Sequence, residues 1–110
     1  MQIIFGKENA EELRTRYTVL DLEEIPVEGH GILSAYCVIP SEKIGLDELP
    51  QLESWVKLHH DFINGYKTQQ YDYCLQCIEH LMGRFGGEVD TFYEEIKRRI
   101  DSETVAQITD

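Results

Sequence analysis

Ile32-Leu-Ser-Ala-Tyr-Cys-Val-Ile39 is the stretch that decides the fold, because its β-branched and aromatic residues predict a strand with one apolar face. That face is formed by Leu33, Ala35, Cys37 and Ile39. Upstream, Tyr17-Thr-Val-Leu-Asp-Leu22 has the same composition and predicts a second strand. The turn segment Glu28-Gly-His-Gly31 lies between them, so the two strands are expected to pair as an antiparallel hairpin.

The residues before the hairpin predict two further elements. Gln2 to Phe5 is apolar enough for a short strand, which Gly6 ends. Asn9-Ala-Glu-Glu12 resembles a capping box and predicts a short helix from about residue 10 to residue 16. Pro26 cannot donate to a strand ladder, so it places the first hairpin strand near a sheet edge.

After Asp47 the spacing of apolar residues changes from two to about three and a half, which predicts helices. The first carries an apolar stripe that includes Leu49, Leu52, Trp55, Val56, His59, Phe62, Ile63 and Tyr66. The second is expected over residues 69–82, and Asp90 begins a third whose polar tail should fray after Asp101. We therefore predict a single α+β domain over 1–110, with a strand-rich part at 1–40 and a three-helix part at 47–101.

Charge excludes several classes of partner. The 110 residues contain 21 Asp plus Glu against 10 Lys plus Arg, a formal net charge of −11. A surface this acidic repels nucleic-acid phosphates and anionic lipids, so neither nucleic acid nor a membrane is an expected partner. No apolar run approaches a membrane span, and the start lacks the basic and apolar regions of a signal peptide. With an odd number of cysteines, these features predict a cytoplasmic protein with reduced thiols.

Cys74-x-x-Cys77 with His80 is the one pattern that suggests a metal or redox site. On a helical projection, Cys74 falls in the core, Cys77 at its rim and His80 in solvent, so the three should not share one ion. Redox cysteine pairs usually lie at a helix N-terminus, whereas these lie in mid-helix. We therefore predict small packing residues, no bound metal and no cofactor.

Four other residues are candidates for contact with a ligand or a partner. His59 lies on the apolar stripe with Trp55, and it is expected to be buried and hydrogen-bonded. His60 is its exposed neighbour, and His30 lies between two glycines in the turn. Because no nucleophile motif accompanies the histidines, no catalytic residue is predicted.

Tyr66-Lys-Thr-Gln-Gln-Tyr-Asp-Tyr-Cys74 resembles the turn of a tetratricopeptide repeat. In that register Leu58, Cys74, Ile78, Leu81 and Phe92 take the family's core positions. The match covers about one and a half repeats, and it departs at Phe62, Gln69 and Gly86, where the family has two glycines and a proline. The resemblance implies helix-turn-helix packing and a peptide-binding role.

Three segments also resemble small uncharacterised proteins encoded by tailed phages of marine bacteria. They are Tyr17-Thr-Val-Leu-Asp-Leu, Ala35-Tyr-Cys-Val-Ile-Pro40 and Ile78-Glu-His-Leu-Met-Gly-Arg-Phe-Gly-Gly-Glu-Val-Asp-Thr-Phe-Tyr93. This resemblance implies an accessory protein that acts on a host or phage protein, and it assigns no site residues.

Three functions follow from these patterns. The first is a non-enzymatic interaction module that contacts another protein or a second copy of itself as a homodimer. The second is an acidic mimic of nucleic acid that occupies a basic cleft on a host or phage protein, since complementary charge accelerates association. The third is a small metal-binding protein or enzyme.

Overall fold

The computed structural model describes residues 2–29 and 31–109, with the side chains of 104–109 excepted. Three strands and four α-helices follow one another as β1 Gln2–Phe5, α1 Lys7–Leu13, β2 Thr18–Val27, β3 Gly31–Ile39, α2 Leu52–Lys67, α3 Tyr71–Leu81 and α4 Asp90–Thr109. Short 3₁₀ turns at Ser41–Lys43, Leu49–Gln51 and Phe85–Gly87 connect the later elements. The predicted α+β class is confirmed.

The three strands form one antiparallel sheet in the order β1-β3-β2. The predicted hairpin is confirmed, since Leu20 lies opposite Cys37 and Ile25 opposite Leu33. β2 is longer than the sequence predicts: it continues through a bulge between Asp21 and Glu24 and ends at Val27. β2 is an edge strand, which is why it tolerates Pro26.

Both faces of the sheet are covered. Ala35, Cys37 and Ile39 of β3 pack, together with Leu20 and Leu22 of β2, against side chains from α2, α3 and α4, whereas Leu33 is only half-buried and lies outside this cluster. The opposite face carries a smaller cluster in which α1 lies on the sheet, formed by Ala10, Val19, Tyr36 and Val38 with Ile4 and Leu13 at its margin. The main core therefore lies between the sheet and the three later helices.

Three helices have boundaries that differ from the sequence-based expectation, and α1 also ends at Leu13 rather than at about residue 16. α1 begins at Lys7 rather than at residue 10, because Gly6 turns the chain with a φ of 95° directly after β1. α3 begins at Tyr71 rather than at residue 69, because Gln69 forms the turn after α2 with a φ of 62°. α4 does not end near Asp101 but continues to Thr109.

Within the described residues, no helix is both long enough and apolar enough to cross a membrane. α2 and α3 are consecutive and closely packed: a Cβ placed on Gly65 would lie 3.3 Å from the Cys74 sulfur. The specific packing geometry of a tetratricopeptide pair remains a prediction.

Candidate functional site

A groove of about 580 Å³ lies between the edge strand β2 and helix α2. It is lined by Arg14, Tyr17, Thr18, Val19, Leu20 and Asp21 on one side and by Leu52, Glu53, Val56, Lys57, His59 and His60 on the other. A depression of about 270 Å³ continues along β2 beside Leu22, Glu23 and Glu24, against Ile63, Tyr66 and Lys67 of α2. Together they follow the open edge of the sheet, and we call the larger cavity the β2–α2 groove.

Hydrogen-bonding direction in the sheet shows which backbone groups face this groove. The Gly6 amide donates to the Ser34 carbonyl, so Ser34 and the alternate β3 residues Tyr36 and Val38 turn their backbone groups toward β1. Val19 and Asp21 lie opposite Val38 and Tyr36. Their amides and carbonyls therefore point away from β3, toward the open edge.

His59 reaches one of these outward groups. Its Nε2 lies 2.5 Å from the Asp21 carbonyl oxygen, and its Nδ1 lies 2.8 Å from the Tyr93 hydroxyl. Because a carbonyl oxygen only accepts, Nε2 carries the proton and donates, and Nδ1 accepts a hydrogen bond from Tyr93. Burial lowers the pKa of His59 from 6.5 to about 4, so the ring is neutral at physiological pH.

The histidine is thus a structural link, buried as the apolar stripe predicts. It ties the edge strand β2 to helix α4 through a single ring. Burial also raises the pKa of the Tyr93 phenol, which therefore stays protonated and remains a donor.

His60, the exposed neighbour, belongs to a charged cluster at the rim of the groove. Its Nδ1 lies 3.3 Å from one carboxylate oxygen of Asp21, and the other oxygen accepts a hydrogen bond of 3.2 Å from Arg14. The Asp21 side chain therefore connects the end of α1 to α2, while its backbone carbonyl holds His59. Among the described residues, no hydrogen bond joins His60 to a hydroxyl or thiol, so no activated nucleophile is assembled in this groove.

Trp55 does not line the groove. The guanidinium of Arg84 lies 4.2 Å from the centre of its ring, a cation–π contact that joins α2 to the segment after α3. The buried indole Nε1 has no hydrogen-bond partner in the part of the chain that the structure describes. This environment is that of a packing residue at the margin of the core.

Cys74, Cys77 and His80 are not brought together. Cys74 and Cys77 are both buried in the core, whereas His80 is exposed, so the expectation that Cys77 lies at the rim is wrong. The reason is that Cys77 belongs to the main core, to which several neighbouring elements contribute side chains, and a projection of α3 alone does not show them. Burial raises the pKa of Cys74 to about 11 and also raises that of Cys77. Over residues 2–29 and 31–103, no group of three histidine, cysteine or acidic side chains is placed to hold a metal ion.

The remaining candidate, His30, lies outside the described residues. Conversely, the sequence did not single out Arg14, Tyr17 and Asp21, which line the groove, or Tyr93, which holds His59 from the core. The position of Asp21 could have been noticed in the sequence, because an acidic residue within a run of β-formers is expected on an edge strand or beside a cationic side chain.

Comparison with known proteins adds no assignment: no family model, no curated protein and no solved structure matches this chain. The function must therefore be inferred from the groove itself.

Proposed function

We propose that this protein is a non-enzymatic interaction module that binds an extended segment of another protein in the β2–α2 groove. The observation that carries the proposal is the open edge of β2, where the backbone groups of Val19 face a cavity with an apolar floor. An extended peptide can satisfy such groups by strand addition, with alternate side chains entering the groove.

The length of the site agrees with this occupant. From Thr18 to Glu24 an edge strand extends on the order of 20 Å, which accommodates about six residues of a bound strand. The Asp21 carbonyl is already occupied by His59, so pairing should centre on Val19 and the Asp21 amide.

Charge indicates the chemistry of the partner. Asp21, Glu23 and Glu24 lie along this edge, where each is ion-paired, with Arg14, Arg99 and Lys67 respectively, but the whole chain carries a net charge of −11. Acidic peptides and a second β2 edge would therefore be repelled. The segment we propose is neutral or basic, with apolar residues at alternate positions.

The other sequence-derived expectations fit this role. A host or phage protein is the partner that the phage resemblance implies, and the close approach of Gly65 to Cys74 supports tetratricopeptide-like packing of α2 on α3. Three free cysteines are compatible with a reducing compartment, and we propose a cytoplasmic location.

The test begins with selection of ten-residue peptides from a random displayed library. The amide resonances shifted by a selected peptide should be those of Thr18–Asp21 and of the first half of α2. Methylation of alternate peptide nitrogens should abolish binding, whereas methylation of the intervening ones should be tolerated, because only one set pairs with β2.

Two tyrosines provide a matched pair of variants. Tyr17 lines the groove and is 40% exposed, and Tyr73 lies on α3 outside it and is 39% exposed. Tyr17→Ala should weaken binding about tenfold and Tyr73→Ala less than about twofold. Equal effects, or resonance shifts confined to other surfaces, would refute the proposal.

Salt separates the proposal from the nucleic-acid mimic. Binding of a neutral selected peptide, which rests on strand addition and apolar burial, should change little between about 0.05 and 0.5 M salt, whereas binding of a basic cleft should collapse. If the chain binds only polycationic probes, and only at low salt, mimicry is the correct function.

A further inference from the structure

The second open edge of the sheet, β1, differs from the first in both charge and coverage. Its residues Gln2-Ile-Ile-Phe5 include no charged side chain. Ile3 and Phe5 are 46% and 47% exposed, although they lie opposite Cys37 and Ala35 on the face that packs against the helices. Cys37 and Ala35 are only 0% and 4% exposed, so the helices cover β3 and stop short of β1.

The backbone of β1 is also open at this edge. The Gly6 amide donates to Ser34, so Gly6, Ile4 and Gln2 turn their backbone groups toward β3. The backbone amides and carbonyls of Ile3 and Phe5 therefore point away from β3, toward solvent. The Phe5 carbonyl accepts a hydrogen bond from the Asn9 side chain at 3.0 Å. Within the described residues, the Ile3 amide and carbonyl have no such partner.

We propose that β1 is a self-association edge, at which two copies of this chain pair their β1 strands antiparallel about a two-fold axis. Ile3 of one copy lies opposite Ile3 of the other, and the two residues exchange both backbone hydrogen bonds. The sheets join into one of six strands, in which each exposed Ile3 side chain lies opposite the other Ile3 and diagonal to Phe5 of the second copy.

Charge selects a second copy as the occupant. A chain with a net charge of −11 can approach itself closely only at a seam without acidic groups. β1 itself has no charged side chain, whereas β2 carries Asp21, Glu23 and Glu24 together with the cations that pair with them. The inference is independent of the proposed function, because the peptide groove lies at the opposite edge of the sheet.

The interface is small, so the dimer is weak and depends on concentration. Pairing of two four-residue strands buries less surface than the roughly 1,200 Å² at which stable interfaces begin. Remaining repulsion between the acidic copies acts over the Debye length, so salt strengthens the dimer. This salt dependence is opposite to that of a mimic bound to a basic cleft.

Sedimentation equilibrium of the purified chain tests the proposal over about 10 µM to 1 mM at two salt concentrations. The expected result is a monomer–dimer equilibrium that shifts toward the dimer as salt rises. Intermolecular nuclear Overhauser contacts between labelled and unlabelled copies should involve Ile3 and Phe5.

Two matched variants test the location. Ile3→Lys should weaken self-association by about tenfold or more. Ile32→Lys makes the same chemical change at a 66% exposed position at the far end of β3, and it should change the dissociation constant less than about twofold. Circular dichroism should show both variants folded. A monomer at 1 mM and high salt, or equal effects of the two variants, would overturn the proposal.

Discussion

The hydroxyl of Tyr93 donates a hydrogen bond of 2.8 Å to Nδ1 of His59, and both residues are buried in the centre of the main core. The two residues are 34 positions apart and lie on different helices. Because the other ring nitrogen of His59 donates to Asp21, this one bond completes the hydrogen bonding of a buried imidazole. It also links α4, through α2, to the strand that forms the proposed binding edge.

Removal of the Tyr93 hydroxyl should destabilise the fold. Tyr93→Phe leaves Nδ1 of His59 buried without a donor, which should lower the free energy of unfolding by about 1–3 kcal/mol. Tyr36→Phe is the control, because Tyr36 lies in the smaller cluster and its phenol makes no hydrogen bond within the described residues. It should change stability by less than about 0.5 kcal/mol in urea unfolding. Equal losses in the two variants would contradict the role of the bond.

Stability should fall as pH decreases from 6.5 to about 4. The folded state depresses the pKa of His59 from 6.5 to about 4, so in this interval the unfolded chain binds the proton and the folded chain does not. The shift in pKa corresponds to roughly 3 kcal/mol of unfolding free energy. This contribution is lost between pH 6.5 and about pH 4, and it does not change further below pH 4. Above pH 6.5 both states are neutral at this ring, and it contributes no pH dependence.

The measurement is urea unfolding at several pH values for the native chain, His59→Gln and His60→Gln. His59→Gln lowers stability at pH 7 but should remove most of the loss between pH 6.5 and 4. His60→Gln alters an exposed ring and should keep the native profile. If the unfolding free energy of His59→Gln falls with pH as steeply as that of the native chain, other groups cause the acid sensitivity.

The sequence predicts the elements better than their arrangement. The apolar face from Leu33 to Ile39 repeats with a period of two, and hydrophobic burial requires such a strand to lie against a core. That β3 is central follows only from the pairing of β1 with β3, which joins residues at least 30 positions apart. The start of α1 depends on the positive φ of Gly6, a conformation with no pattern in the neighbouring residues.

Less of the candidate site than of the fold could be predicted from the sequence. The apolar stripe predicts a buried His59, but its partners are a phenol on another helix and a backbone carbonyl, and a carbonyl has no sequence signature. Cys77 was expected at the rim because a projection of α3 alone cannot show how neighbouring elements bury it. The β2–α2 groove depends on which strand lies at the edge, and that is a property of the whole sheet.

Replacement of Gly86 should be costly for two reasons that a control can separate. Its φ is 66°, and a Cβ there would lie 2.0 Å from the carbonyl oxygen of Lys43. Gly29 has a similar φ of 81°, but nothing lies within 4 Å of its Cβ position. Gly29→Ala should lose about 1–2 kcal/mol from backbone strain. Gly86→Ala should lose at least about 1 kcal/mol more, because the 3₁₀ turns must separate. Equal thermal shifts would show that the close approach has no energetic weight.

The thiols of the native protein should be unreactive. Burial raises the pKa of Cys37 and of Cys74 to about 11 each, and it raises the pKa of Cys77 as well. Because the thiolate is the reactive form, only about one Cys37 or Cys74 thiol in a thousand is ionised at pH 8. A disulfide reagent such as Ellman's reagent should therefore modify none of the three cysteines until urea unfolds the chain, when all three react.

The same burial should prevent zinc binding, since zinc requires deprotonated cysteine ligands and the exposed His80 lies apart from the two thiols. Titration of the reduced native protein with zinc should give no stoichiometric complex, and Cys77→Ala should leave this result unchanged. Cys77→Ala should instead lower stability, because it removes a buried sulfur from the main core. A native thiol that reacts within seconds, or zinc retained at one equivalent and lost in Cys77→Ala, would show that this end of α3 opens to solvent and carries chemistry.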